Sequence, residues 1–328
     1  MTTSGVYTLT VQRDDIIRQS MLNLGKLGEG EDPTPQEITD MSLKLNMLVK
    51  QWMGKADFAP GLKTWTRRRG NLFLHNTTGK YTVGPNATGW TENFTQLTTT
   101  AASAAGTNTI TVATGLTTVL NNDKIGVQVS SGGGNGDIQW NTVSNYNSGT
   151  GVITLGTNLS AAVAIGATAY DYTTTAQNPL TIESAVLRDS SDSNEDTPLR
   201  IYASTQDYDM LPSKVDLNNI SDPTSIYYEW QLTNSFLFTD VAAAQDVTKY
   251  IVLTYLEEIQ TFVNPTDSPE YPAEWFDPLC WGLSKRSAPM FNVPWTQLMQ
   301  DNYQESLAIA RHKGPEKSSL FFQPGEDE

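Results

Sequence analysis

The sequence predicts an α+β fold: a helical bundle built from both chain ends, a β-sheet core, and an inserted small β-sandwich or barrel domain. Three observations lead there. Helical periodicity and capping signals sit only near the two ends of the 328 residues. Between them, roughly 200 residues read as strand, turn and loop. Within that middle, composition shifts at about residues 95–175, where Thr, Gly, Asn and Ala dominate and charges nearly vanish. The predicted division is a helical hairpin over 1–63 that packs with C-terminal helices over 271–314. A β core covers 64–94 and 176–270, an inserted β domain 95–175, and a docking tail 315–328.

The first helix is predicted over about 13–27. Ile16, Ile17, Met21, Leu24 and Leu27 recur at three- and four-residue steps, Asp14 and Asp15 sit where the helix dipole favours anions, and Gly25 and Gly28 lie where a stop is expected. The second, over about 35–53, opens with a capping box. Thr34 and Glu37 are placed to satisfy each other's amides, with Pro35 at the first helical position. Its stripe is Ile38, Met41, Leu45, Leu48, Val49 and Trp52. Two such helices on a short loop predict an antiparallel hairpin whose stripes need a further surface.

Period two then takes over. Residues 71–74 and 80–83 read as a hairpin across Asn76, Thr77, Thr78 and Gly79. In the inserted segment, 109–112, 124–129, 138–143, 152–155 and 167–172 read as strands between Asn- and Gly-rich turns. A disordered low-complexity stretch is the alternative there, and the β-branched alternation and Trp140 weigh against it. Further strands are predicted over 180–187, 198–203, 226–232, 235–239 and 249–256, with an acidic loop at 189–196. Helix returns over 273–288, carrying Trp275, Leu279 and Leu283. A last helix runs from Pro294 to about His312, with Leu298, Met299, Asn302, Tyr303 and Ile309 mostly on one face. The tail residues Leu320, Phe321, Phe322, Gln323 and Pro324 read as a segment that docks on a partner.

Net charge is −15, the pI is about 4.5 and mean hydropathy is −0.37, which predict a soluble protein that does not grip phosphate backbones over its whole surface. No apolar run reaches membrane-spanning length, so no membrane association is expected. The opening residues lack a basic and apolar leader pattern, so no secretory signal is expected. Cys280 is the single cysteine and His75 and His312 the only histidines, which argues against a structural zinc site and an intramolecular disulfide. The run from Gly132 to Gly136 lacks the Lys-Ser/Thr ending of a phosphate loop and reads as a turn. Asp192, Asn194 and Asp196 imitate the first ligands of a calcium loop, but Thr197 replaces its glycine and Ala203 its glutamate. A solvated acidic loop is the better reading, with loose cation binding left open. Arg67, Arg68 and Arg69 form the one basic run. They suit contact with nucleic acid or an acidic partner, or the guarding of an edge strand. Paired carboxylates such as Glu257 and Glu258 carry no positive signal for catalysis. No enzyme, cofactor or metal is expected.

An ordered set of segments carries a resemblance. Arg13, Asp14, Asp15, Ile16 and Ile17 with Leu24 and Gly25, then Leu45, Asn46, Met47, Leu48 and Trp52, look like the opening of the head-to-tail adaptor proteins of short-tailed bacteriophages. That family is also called tail tubular protein A. Tyr81 to Gly84 resemble the strand that follows there. Tyr271, Pro272, Ala273, Glu274, Trp275, Phe276, Leu279, Trp281, Gly282, Leu283, Ala288 and Pro289 resemble its penultimate helix, and Phe321 to Pro324 fit its tail. Residues 95–175 depart from the family's minimal pattern. The resemblance implies a structural, non-enzymatic adaptor in the virion neck, made in the host bacterial cytoplasm. It implies a homo-oligomeric ring, a dodecamer, between portal protein and tail nozzle protein, through which DNA passes without sequence-specific binding. The tail would reach the portal, and tail fibres are a partner left open for the inserted domain. Acidic copies around the lumen suit DNA passage. The rival reading is a glycan-binding β module of a phage tail component, with Trp90, Trp140 and Tyr146 as a sugar platform.

Overall fold

The computed structural model describes residues 11–28, 30–53, 66–130, 136–190, 195–212, 220–243 and 248–312. In chain order the elements are α1 (Arg13–Asn23), α2 (Pro35–Trp52), β1 (Arg67–Phe73), β2 (Lys80–Val83), β3 (Trp90–Thr91), β4 (Thr95–Thr98), β5 (Thr109–Thr111), β6 (Lys124–Val129), β7 (Asp137–Asn147), β8 (Val152–Leu155) and β9 (Thr168–Tyr172). There follow β10 (Thr181–Asp189), β11 (Glu195–Pro198), β12 (Arg200–Tyr202), α3 (Thr205–Asp209), β13 (Ile220–Ser221), β14 (Ser225–Glu229), β15 (Ser235–Thr239), β16 (Ala242–Ala243), β17 (Lys249–Leu256), α4 (Phe276–Ser287) and α5 (Gln297–His312).

This is a mostly β protein, which overturns the predicted α+β class with its prominent helical bundle. Sheets of five, four and six strands dominate the described residues, and the longest helix has 18 residues. The physical reason lies in the signals. A surface helix shows one clear apolar stripe, so the ends of the chain advertise themselves. The strands β3, β4, β11, β13 and β16, of four residues or fewer, are too short to show a clear period, and they add to a middle whose longer strands the sequence predicts. The chain divides into a unit made from its two ends, up to Thr66 and from Ile259, and a second unit, Arg67–Glu258.

In the first unit α1 ends earlier than the periodicity predicts. Gly25 adopts φ +67°, its amide donates to Leu22 O at 2.9 Å, and the Lys26 amide donates to Met21 O at 3.1 Å. That left-handed Schellman closure suits glycine and stops the helix. α2 begins at its capping box: the Glu37 amide donates to Thr34 Oγ1 at 3.3 Å and the Thr34 amide to Glu37 Oε2 at 2.9 Å. These bonds hold the Glu37 carboxyl below its usual range, led by the backbone bond from Thr34. A 3-10 turn, Ala273–Trp275, leads into α4, which packs on α1 and α2. The last helix starts at Gln297 and not at Pro294, because the Thr296 hydroxyl accepts from the Met299 amide at 3.3 Å and serves as its cap.

In the second unit the five-stranded sheet has the order β11-β10-β17-β1-β3, and the four-stranded sheet β12-β14-β15-β2. The two share a core that includes Leu72, Tyr81, Trp90, Leu237, Leu253 and Tyr255. The predicted hairpin between 71–74 and 80–83 does not form, since β1 pairs with β17 and β2 with β15. Leu72, Leu74, Tyr81 and Val83 all face the shared core, so the chain crosses from one sheet to the other. The Tyr81 hydroxyl fixes that crossing by donating to Thr78 O at 2.8 Å.

Residues 95–172 build the six-stranded sheet, β4-β9-β6-β7-β8-β5. A bridge between Ala101 and Thr111 brings the continuation of edge strand β4 beside the opposite edge, β5, so the sheet curls round its own aliphatic core. This insert also packs on the five-stranded sheet. Phe73, Tyr250 and Val252 there meet Ile138 and Tyr170 of the insert. The ring centroids of Tyr170, Phe94, Trp140 and Tyr250 lie 4.4, 5.0, 5.3 and 5.5 Å from that of Phe73. Successive residues of β17 therefore serve two cores: Ile251 and Leu253 face one, Tyr250 and Val252 the other.

The acidic stretch 189–196 is shorter as a loop than predicted. Asp189 ends β10, and Glu195 and Asp196 open β11, which pairs back on β10. Arg188 binds Asp196 through two bonds of 2.7 Å, which keep that carboxyl below its usual range. Residues 191–194 lie outside the described residues. No group of three or more His, Cys, Asp or Glu that could hold a metal occurs among the described residues.

Candidate functional site

No helix among the described residues is long and apolar enough to cross a membrane. The surfaces able to act are therefore judged from the side chains they present.

The basic run lies on the first half of β1. β17 covers one side of that half, whereas β3 pairs only with Asn71 and Leu72 on the other. Arg67, Arg68 and Arg69 line a surface cleft of about 430 Å³ with Glu183, Ser184 and Thr254. Two of the three arginines hold carboxylates of the same unit. Arg67 Nε is 2.7 Å from Glu183, and Arg68 Nε is 3.1 Å from the buried Glu257. The field of Arg69 helps to hold the Asp196 carboxyl down, after the larger effect of Arg188. The positive charge of the run is thus largely balanced within the fold.

The helical residues form one core. Ile16, Ile17, Leu24, Leu45, Leu48, Trp52, Trp275, Leu279 and Leu283 are all buried, and Ile38 is half-buried. The Trp52 and Trp275 rings lie 6.1 Å apart, and the Ser284 hydroxyl reaches Ser20 O at 2.9 Å. Burial accounts for these side chains, so the surface function must lie with others. Leu43 and Met47, one turn apart on α2, are 58% and 53% exposed. On α5, Leu298 and Ile309 are 71% and 57% exposed, while Ser306 and Ala310 are buried. The packing face thus includes Met299, Asn302 and Tyr303 of the predicted set, all half-buried, together with Ser306 and Ala310, whereas Leu298 and Ile309 fall outside it. The helical stripe does not include Leu43 and Met47; their sequence signal is that they are large apolar residues off that stripe.

The proposed tail contacts Leu320, Phe321, Phe322, Gln323 and Pro324 lie outside the described residues, as does most of the glycine run. The three aromatics of the sugar-platform reading do not share an open surface. Trp90 is fully buried, with its indole donating to Gln177 O at 3.1 Å. Trp140 packs against Phe73, and the Tyr146 hydroxyl binds Ala113 O and the Leu116 amide. Exposed aromatic and aliphatic surface appears instead at the turn after β14, where Trp230 and Leu232 are 55% and 89% exposed. His75 Nδ1 lies 3.6 Å from Asp137 in a partly exposed pair. Burial pushes the Cys280 thiol up to about 12, which keeps it protonated and unreactive at neutral pH. No protein-family model matches the chain, and no curated protein matches it.

Proposed function

We propose that this chain is a structural head-to-tail adaptor of a short-tailed phage. Copies form a ring between portal and tail nozzle that seals the neck and lets DNA pass. One observation carries the reading: the segments that resemble the adaptor family, from Arg13 to Trp52 and from Tyr271 to Pro289, lie at opposite ends of the sequence yet fall in one unit, where most of their apolar residues are buried. Open apolar side chains on α2 and α5 support it further, because a second copy has something to cover. Twelve copies and the portal as partner are what the resemblance implies. The test mixes purified chain with portal protein and images the product by electron microscopy. Rings seated on the portal are expected. A chain that stays single and ignores the portal, or one that binds glycans tightly as a monomer, overturns the reading.

A further inference from the structure

Asp123 and Asp171 are enclosed in the six-stranded insert, 0% and 2% exposed. Asp123 precedes β6, and its Oδ2 accepts from the Leu120 amide at 2.6 Å. Among the described residues, neither its Oδ1 nor Oδ1 of Asp171, both buried, has a hydrogen-bond partner. The register sets Asp171 opposite Ile125 on β6 and Thr95 on β4, and Ile125 opposite Asn141 on β7. Asn141 is occupied by Thr157, donating to its carbonyl at 2.8 Å and accepting from its amide at 3.0 Å. Thr95, Ile125, Asn141, Val143 and Ala169, which share this face, carry no charge. The basic residue nearest in sequence, Lys124, is exposed, and its ammonium lies 3.4 Å from Thr142 Oγ1. Two buried carboxylates thus sit together with no cation beside them among the described residues.

We propose that Asp123 and Asp171 share one proton in the folded insert, and that losing it as pH rises loosens the six-stranded sheet. Two like charges side by side in a closed site cannot both ionise. One proton between the pair supplies a donor to one carboxyl and uses the idle acceptor of the other. Burial first, then the charge of Asp123, pushes the Asp171 carboxyl up to about 7. An unfolded aspartate releases its proton at about pH 3.9, so the folded insert holds a proton that the unfolded chain has lost. The stabilisation is complete below about pH 4 and is lost as pH rises through about 7. Between about pH 5 and about pH 8 the folding equilibrium of the insert should fall about a hundredfold from this pair.

The full chain and Asp171→Asn are compared by hydrogen exchange at the amides of β6 and β9, corrected for intrinsic rates. Wild-type protection should fall about a hundredfold over that pH range, and the variant's should stay flat. Equal pH dependence in both proteins overturns the proposal. If the variant does not fold, infrared titration of the wild type decides. A carboxylic-acid carbonyl band that survives to about pH 6 and vanishes by about pH 8 supports the shared proton, and its absence above about pH 5 contradicts it. Calcium chloride added at about pH 8 supplies the last arm: a rise in wild-type protection that Asp171→Asn lacks makes the pair a cation site instead.

Discussion

The helical unit and the β unit bury their elements differently. In the helical unit each helix turns one stripe inward, as α2 does with Met41, Leu45, Leu48 and Trp52. Its opposite face stays open at Leu43 and Met47. In the β unit the five-stranded sheet lies between two cores, aliphatic with Trp90 on one side and aromatic around Phe73 on the other. Both units keep open apolar side chains, but those of the β unit, Leu120, Ile165, Met210, Trp230 and Leu232, lie in turns and loops, whereas Leu43, Met47, Leu298 and Ile309 of the helical unit lie along helices. Under the proposed adaptor reading, the helix faces are where a neighbouring copy would pack.

The largest effect should come from breaking the aromatic core. Phe73→Ala removes a ring that meets four others and should cost about 3–5 kcal/mol, read as a lower denaturant midpoint. A loss under about 1 kcal/mol would mean that the insert hardly depends on the sheet beneath it.

Close approaches sharpen the comparison. A methyl at Gly70 would stand 2.2 Å from the buried Trp90 ring, so Gly70→Ala should cost about 3 kcal/mol or more. At Gly282 the added carbon meets Trp52 at 2.8 Å and Leu48 at 3.1 Å. There the helix gains about 1 kcal/mol from alanine, so the net loss should be about 0–2 kcal/mol. Thermal unfolding of the two variants should rank them in that order, and the reverse order contradicts the packing described.

Smaller still is the cap. Thr34→Ala should cost about 1 kcal/mol, because the Glu37 amide loses its acceptor. An unchanged melting temperature would show that α2 holds its first turn by packing alone.

What the sequence revealed follows the same contrast. The capping box at Thr34, the α2 stripe and the stop at Gly25 were legible because each is a local pattern. So were β8, whose alternation matches a single buried face, and β6, whose Ile125, Val127 and Val129 alternate toward the core of the insert. The hairpin assigned to 71–74 and 80–83 failed because pairing partners are non-local: β1 finds β17 nearly two hundred residues away. β11 was hidden in an acidic stretch, since its residues are exposed and its pairing rests on a hairpin with Arg188 at Asp196. Of the candidate site, the buried helical residues were legible from their stripe, and the open Leu43 and Met47 only as apolar residues that fall off it, because periodicity reports what packs within a chain.

The smallest expected effect on folding belongs to the pair Leu43→Glu with Met47→Glu. Both side chains are exposed, so the lone chain should keep its stability within about 0.5 kcal/mol. Ring formation should nevertheless fail. A destabilised monomer would place these side chains in an intramolecular contact and weaken the contrast between the two units.

The most direct test is the mass of the assembly that the unmodified chain forms with its portal protein. A portal-bound ring of twelve copies is the expected result. A chain that remains at its monomer mass of 36.0 kDa in the presence of portal contradicts the adaptor reading.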